Sequence, residues 1–139
     1  NIIPFAFRGE LFSGTHDFSN GGNSFKIALY TGNPYSTSST AYLTSQEVSA
    51  SNTGYTTGGK VLAGQAVASG TAVASVDFTD SSITSATFTA AFAAIYNDTN
   101  ADKLCVVLDF GGNKTATNGT FTIAFPNPST PANAIISMA

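Results

Sequence analysis

Apolar and polar positions change rhythm along the chain, and each change predicts an element. In the first dozen residues Phe7 and Leu11 stand four apart, with Phe5 and Phe12 beside them and Pro4 in front. That spacing predicts a short amphipathic helix with proline at its first turn. Such a helix serves either as a lid closing one end of a core or as an arm lying on a neighbouring molecule, and the pattern leaves both open. Read as an arm, residues 1–13 are expected to be removable without unfolding the rest. Gly14 and the run Asn20-Gly21-Gly22-Asn23 then break the chain.

From Ser24 the period becomes two. Phe25, Ile27 and Leu29 point one way and Lys26, Ala28 and Tyr30 the other, the pattern of a half-buried strand that stops at Gly32-Asn33-Pro34. Residues 33–59 are rich in Ser, Thr, Gly and Asn, with Ala41, Tyr42 and Val48 as the few apolar anchors, and predict a long excursion. Within it Thr44 and Glu47 have capping-box spacing for one helical turn. After Gly58-Gly59, strands over 60–67 and 71–78 are expected to join through Ser69-Gly70 as a hairpin.

The clearest element is 82–96, where Phe88, Ala90, Phe92, Ala94 and Tyr96 share one face and Thr89, Ala91, Ala93 and Ile95 the other. Its threonines and strict alternation favour a strand over the helix that alanine content suggests. Asn97-Asp98-Thr99-Asn100 reads as a turn. Leu104, Val106, Leu108 and Phe110 then alternate with Cys105, Val107 and Asp109, and Gly111-Gly112-Asn113 closes that strand. Asn118-Gly119 leads into Phe121, Ile123 and Phe125, and 134–138 supplies a last strand. Seven or eight strands with hardly any helix predict a mostly β fold, an antiparallel β-sandwich or jelly-roll-like domain with a short N-terminal helix or arm. A chain of 139 residues fits one domain: arm and loop over 1–23, and a sandwich over 24–139 that carries the 33–59 excursion.

Composition narrows the function. Charged residues make up 9% of the chain against the ~25% usual for soluble domains, so Ser, Thr, Asn and Gly must cover the surface. With a net charge of −3, little repulsion keeps copies apart, which suits life in an assembly. The basic residues Arg8, Lys26, Lys60, Lys103 and Lys114 are scattered rather than clustered, which argues against nucleic-acid binding. No stretch approaches the ~18 apolar residues of a membrane helix, and the single Cys105 permits no intrachain disulfide.

Chemistry is sparse. His16 is the one histidine, and with Asp17 it makes at most half a dyad; no Gly-x-Ser-x-Gly nucleophile signature occurs. The carboxylates Glu10, Asp17, Glu47, Asp77, Asp80, Asp98, Asp102 and Asp109 mostly sit where turns and strand ends are expected, as Asx residues that satisfy backbone donors. Asp98 and Asp102, beside Asn97 and Asn100, offer oxygens to Ca²⁺ but lack the glycine and terminal glutamate of an EF-hand loop. Cys105, inside an apolar run, reads as a packing residue. The five tyrosines are a candidate sugar platform, weakened by the absence of tryptophan. The expectation is therefore a protein without catalytic residues, cofactor or metal.

The run from Glu10 through Leu11, Phe12, Ser13, Gly14, Thr15, His16 and Asp17 to Phe18, followed by Phe25-Lys26-Ile27-Ala28-Leu29-Tyr30-Thr31, resembles a family of small structural proteins of tailed bacteriophages. The likeness continues through Glu47-Val48, Gly54-Tyr55-Thr56-Thr57-Gly58-Gly59, Phe92-Ala93-Ala94-Ile95-Tyr96-Asn97-Asp98, Val107-Leu108-Asp109-Phe110-Gly111 and Ala134-Ile135-Ile136, in order over nearly the whole chain. The resemblance implies a virion component with no catalytic residues to carry over. Its first implied station is the capsid exterior, as a decoration or cement protein, commonly a homotrimer, that clamps the major capsid protein. The second is the tail or a fibre. Phe5, Phe7, Leu11 and Phe12 are the expected partner contacts.

Overall fold

The structure, a computed structural model, describes residues 1–70, 72–126 and 134–138. One helix, α1 (Phe5–Phe12), precedes seven strands among the described residues: β1 (Phe25–Tyr30), β2 (Lys60–Val61), β3 (Ala66–Ser69), β4 (Ala74–Asp77), β5 (Ser81–Asn97), β6 (Lys103–Ile123) and β7 (Ile136–Met138). They form a four-stranded sheet in the order β2-β1-β5-β6 and a three-stranded sheet in the order β3-β4-β7. Every pairing is antiparallel. The main core lies between the sheets, where Phe25, Ile27 and Leu29 meet Val76, Phe78 and Ile136. This is the expected sandwich-like architecture.

Strand β1 is not half-buried. Its second face, Ala28 and Tyr30, is buried too, in a smaller cluster with Tyr35, Ala94, Tyr96, Leu104 and Val107. The cover comes from the 33–59 excursion, which hydrogen-bonds to β1 and β6 through Val48 N to Leu29 O (2.9 Å) and Leu104 N to Thr40 O (3.0 Å). Its buried anchors are Tyr35, on that second face, and Val48 and Tyr55, which enter the main core, whereas Ala41 and Tyr42 are only half-buried. Gly59 closes the excursion at φ +77°, and a Cβ there would stand 2.0 Å from the Ile27 carbonyl oxygen, so only glycine fits. The expected helical turn at Thr44 and Glu47 is instead a single turn, Glu47 N to Thr44 O, with Gln46 at φ 61°.

The expected strand 60–67 is two strands in different sheets. The chain leaves β2, turns at Gly64 (φ +65°) and enters β3. β3 and β4 then pair as a hairpin from Ala66↔Asp77 to Ser69↔Ala74, and residue 71, where the second strand was expected to begin, lies outside the described residues.

Bulges overturn two predicted face assignments. On β5 the register slips between Ala90 and Phe92, so Phe88 and Ala90 face the main core, but beyond the slip Ala93 and Ile95 do; Ala94 and Tyr96, with Phe92 packed beside them, face the smaller cluster. On β6 Tyr96 pairs with Leu104 and Ile95 with Val106, leaving Cys105 as the extra residue. Cys105 and Val106 therefore both line the main core, and Leu104 lies on the opposite face from Val106. Gly111-Gly112-Asn113 does not close the strand, because residues 110–113 stand opposite the single residue Ala91 and β6 continues. Asn118-Gly119 is likewise a bulge, with Asn118 at φ 48° and its N–H on Thr87 Oγ1 (2.9 Å).

Candidate functional site

Three arrangements draw together the side chains with chemical potential. The first surrounds His16, which the loop after α1 carries into the domain. Its Nε2 lies 2.9 Å from Glu10 Oε2, and its Nδ1 lies 3.0 Å from Asn97 Nδ2 and 3.8 Å from Cys105 Sγ. Asn97 Oδ1 accepts from the backbone N–H groups of Thr99 and Asn100, both at 3.1 Å, which fixes the amide with Nδ2 toward the ring. His16 Nδ1 is then the acceptor, and the ring proton sits on Nε2 and is donated to Glu10. Lys103 Nζ donates to the other Glu10 oxygen. Burial alone would raise the Glu10 carboxyl, but the hydrogen bonds from Lys103 and His16 outweigh it and hold the group below its ordinary 4.5.

Cysteine, histidine and carboxylate in this order resemble a nucleophile relay, but the geometry withholds the chemistry. Burial, with the Glu10 charge added, pushes the Cys105 thiol well above its ordinary value. The lone pair that would take the thiol proton is already engaged by Asn97. His16 and Asp17 do not pair; Asp17 accepts instead from Ser19 Oγ (2.6 Å) and Ser19 N (2.9 Å), which lowers its carboxyl. The partner that His16 does find is Glu10, a pairing that no sequence spacing rule announces, since it joins a helix residue to a loop residue six positions on.

The second arrangement gathers every tyrosine around Glu47. Tyr42 and Tyr55 donate to its two oxygens, Tyr55 at 2.7 Å, and the Gly58 N–H adds a third bond at 2.8 Å. Tyr96 donates to Gly58 O (2.6 Å), and the Tyr30 and Tyr35 hydroxyls meet at 2.6 Å. Burial, aided by neighbouring negative charge, raises the phenol pKa of all five. Four of the rings are buried and Tyr42 is half-buried, so they make no exposed sugar platform. This network fastens the excursion to β1 and β5. Asp98, a candidate cation ligand in the sequence, faces Lys26 at 2.8 Å.

The third arrangement is α1 itself. Residues on a helix project about 100° apart, so Phe5, Phe7, Leu11 and Phe12 cannot share one side. Phe7 is 1% exposed and Leu11 packs at the edge of the main core, whereas Phe5 and Phe12 stand 63% and 91% exposed on the opposite face. Arg8 lies between them, its guanidinium 5.4 Å from the Phe5 ring centroid. The helix is thus a lid through Phe7 and an outward apolar surface through Phe5 and Phe12. Residues 1–13 are no detachable arm: Ile2 exchanges two 2.8 Å backbone hydrogen bonds with Val107, and Glu10 holds His16 and Lys103. Removing them would open the core.

No protein-family model, curated protein or solved structure matches this chain.

Proposed function

We propose that the chain is a non-catalytic structural protein of a tailed-phage virion, a decoration or cement subunit that binds the major capsid protein shell from outside and stabilises it. The observation that carries this reading is the outward face of α1. Two phenylalanines stand in water on a helix whose other face is locked into the core. Such a rigid apolar surface loses little conformational entropy on binding. The resemblance over most of the chain supports a virion component, and a short single domain without an obvious receptor-binding insertion favours the capsid station over the tail. The sparse charge supports close contact with like neighbours. The clustered polar groups are occupied in holding the fold, and the reading involves no cofactor, metal, nucleic acid or membrane.

One such contact is weak. Burying a phenylalanine gives roughly 1.5–3 kcal/mol, while association costs about 4–15 kcal/mol in lost freedom. Occupancy therefore calls for several linked copies, for which a homotrimer is the expected form, and avidity then gains about 10²–10⁴-fold. The test adds wild-type protein and a Phe5→Ser/Phe12→Ser variant to heads depleted of the protein, then measures bound copies and the temperature of DNA release. Wild type is expected to bind heads and raise that temperature, and the variant to do neither. Equal binding by both would remove the helix face from the mechanism. Binding confined to tails would replace the cement reading with a tail or fibre station.

A further inference from the structure

Beside α1 the surface is concave. Two adjoining hollows, of about 290 and 250 Å³, share Leu11, Ile136, Ser137 and Met138 as a common wall. The larger runs from the loop at Asp17-Phe18 across to β4 and β7, with Val67 and Met138, 54% and 55% exposed, on its border. Its walls are largely apolar and include Ser75, a buried residue whose hydroxyl has no hydrogen-bond partner among the described residues. An apolar cavity of about 150 Å³ already accepts benzene, so the larger hollow has room for a phenyl ring.

The ring that needs covering is Phe12, the most exposed large apolar side chain described. It cannot fill the hollow of its own molecule. Leu11 borders that hollow, and Phe12 projects about 100° away from it around the helix. The charges are arranged in the same sense. Arg8, exposed one helical turn before Phe12 and also bordering the smaller hollow, forms no ion pair among the described residues, and neither does Asp17 on the rim of the larger one. A basic side chain thus stands beside the Phe12 projection and an acidic one on the rim of the larger hollow.

We propose that the larger hollow receives the Phe12 ring of a second copy of this chain, with Arg8 of that copy set against Asp17. The proposal rests on the reading of the α1 face as adhesive and names its partner. Because projection and hollow are different surfaces, the contact is head-to-tail, and it closes as a ring if the rotation per copy allows. A ring would supply the linked copies that the capsid reading requires.

The full chain tests this without capsids. Sedimentation equilibrium between about 1 and 100 μM is expected to show association, and Phe12→Ser to weaken it by on the order of tenfold or more, as the loss of one buried phenylalanine implies. Arg8→Asp and Asp17→Arg should each weaken association, and their combination should restore part of it. Should the exchange at Asp17 disturb its loop, a disulfide trap provides an independent measurement. Phe12→Cys together with Val67→Cys should give intermolecular disulfide-linked species, while Phe12→Cys alone gives few and wild type, with Cys105 buried, gives none. Wild type that stays monomeric at 100 μM with no trapped species overturns the proposal, and if heads still bind it through α1 the capsid reading survives. Trapping by Phe12→Cys alone as efficient as by the pair means that copies meet helix to helix and also overturns it. Trapped oligomers that ignore heads leave the contact standing and remove the capsid reading.

Discussion

The long β5–β6 ribbon is two structures in one. In its near half, Phe92–Asn97 on β5 lies between β1 and β6, and its two faces meet the main core and the tyrosine cluster. Even the outer edge there is engaged: Ile2 bridges to Val107, the excursion bridges to Lys103, and Asn1 Oδ1 accepts from the Asp109 N–H (3.1 Å). In the far half, residues 81–91 and 113–123 bury Ile83, Phe88, Phe121 and Ile123 on one face only. The other face carries threonine and serine pairs such as Thr89 with Thr115 (2.7 Å) and Ser82 with Thr122 (2.9 Å). The same two strands are thus a central layer at one end and a one-sided sheet at the other. The difference lies in the side chains: apolar residues at both parities demand cover on both faces, and alternation demands it on one.

The largest expected consequence is alkaline unfolding of the near half. All five tyrosines have folded pKa values raised above the ordinary 10.0, chiefly by burial. Their contribution to stability is complete below about pH 10 and falls as pH rises further, because the unfolded chain releases phenolic protons that the folded chain retains. Tyrosinate absorbance should therefore appear together with loss of the near-ultraviolet dichroism, in one cooperative step. Ionisation of most of the tyrosines near pH 10 in a protein that keeps its dichroism would mean that the rings are exposed and the near half is not closed.

That closure also explains what was legible in the sequence and what was not. The alternation over Phe25–Tyr30 located β1, and residues 82–96 located β5 almost to its ends. Within Phe88 to Tyr96, however, alanine occupies both parities, and an alanine fits either side of a sheet. Nothing in the run marks Ala91 as the place where the faces exchange, nor Cys105 as an added residue between Leu104 and Val106. Glu47 was read for its spacing from Thr44, whereas its role depends on Tyr42, Tyr55 and Gly58 converging on it. The signal available was a lone carboxylate in a segment holding Tyr35, Tyr42 and Tyr55. Phe5 and Phe12 are legible as apolar residues of the helix, and the helical turn of about 100° per residue sets them on the side away from Phe7.

A smaller effect is expected at Asn97, which is fully buried where the near half ends. Asn97→Ala removes the donor to His16 Nδ1 and Asn23 Oδ1 and the acceptor for the Thr99 and Asn100 N–H groups. Leaving buried polar groups unpaired costs about 1–3 kcal/mol each, with incomplete additivity, so a loss of roughly 3–4 kcal/mol in urea unfolding is expected. A loss below about 1 kcal/mol would mean that water replaces the amide freely and that the cluster is open.

The smallest effect is expected on the far half, and it sharpens the contrast most. Thr115→Ala removes the hydroxyl that meets Thr89 across the strands, on an exposed face. Cross-strand pairs of this kind contribute roughly 0.2–1 kcal/mol relative to alanine, and water can satisfy the remaining Thr89 hydroxyl. Urea unfolding of dilute protein should therefore fall by no more than about 1 kcal/mol, with an unchanged slope. The same substitution measured at high protein concentration should give the same value, because this face takes no part in the contact assigned to Phe12 and the hollow. A loss above about 2 kcal/mol in dilute protein would instead be the size expected of a covered position. The far half would then be closed on both faces like the near half, and the division of the ribbon into a central layer and a one-sided sheet would fail.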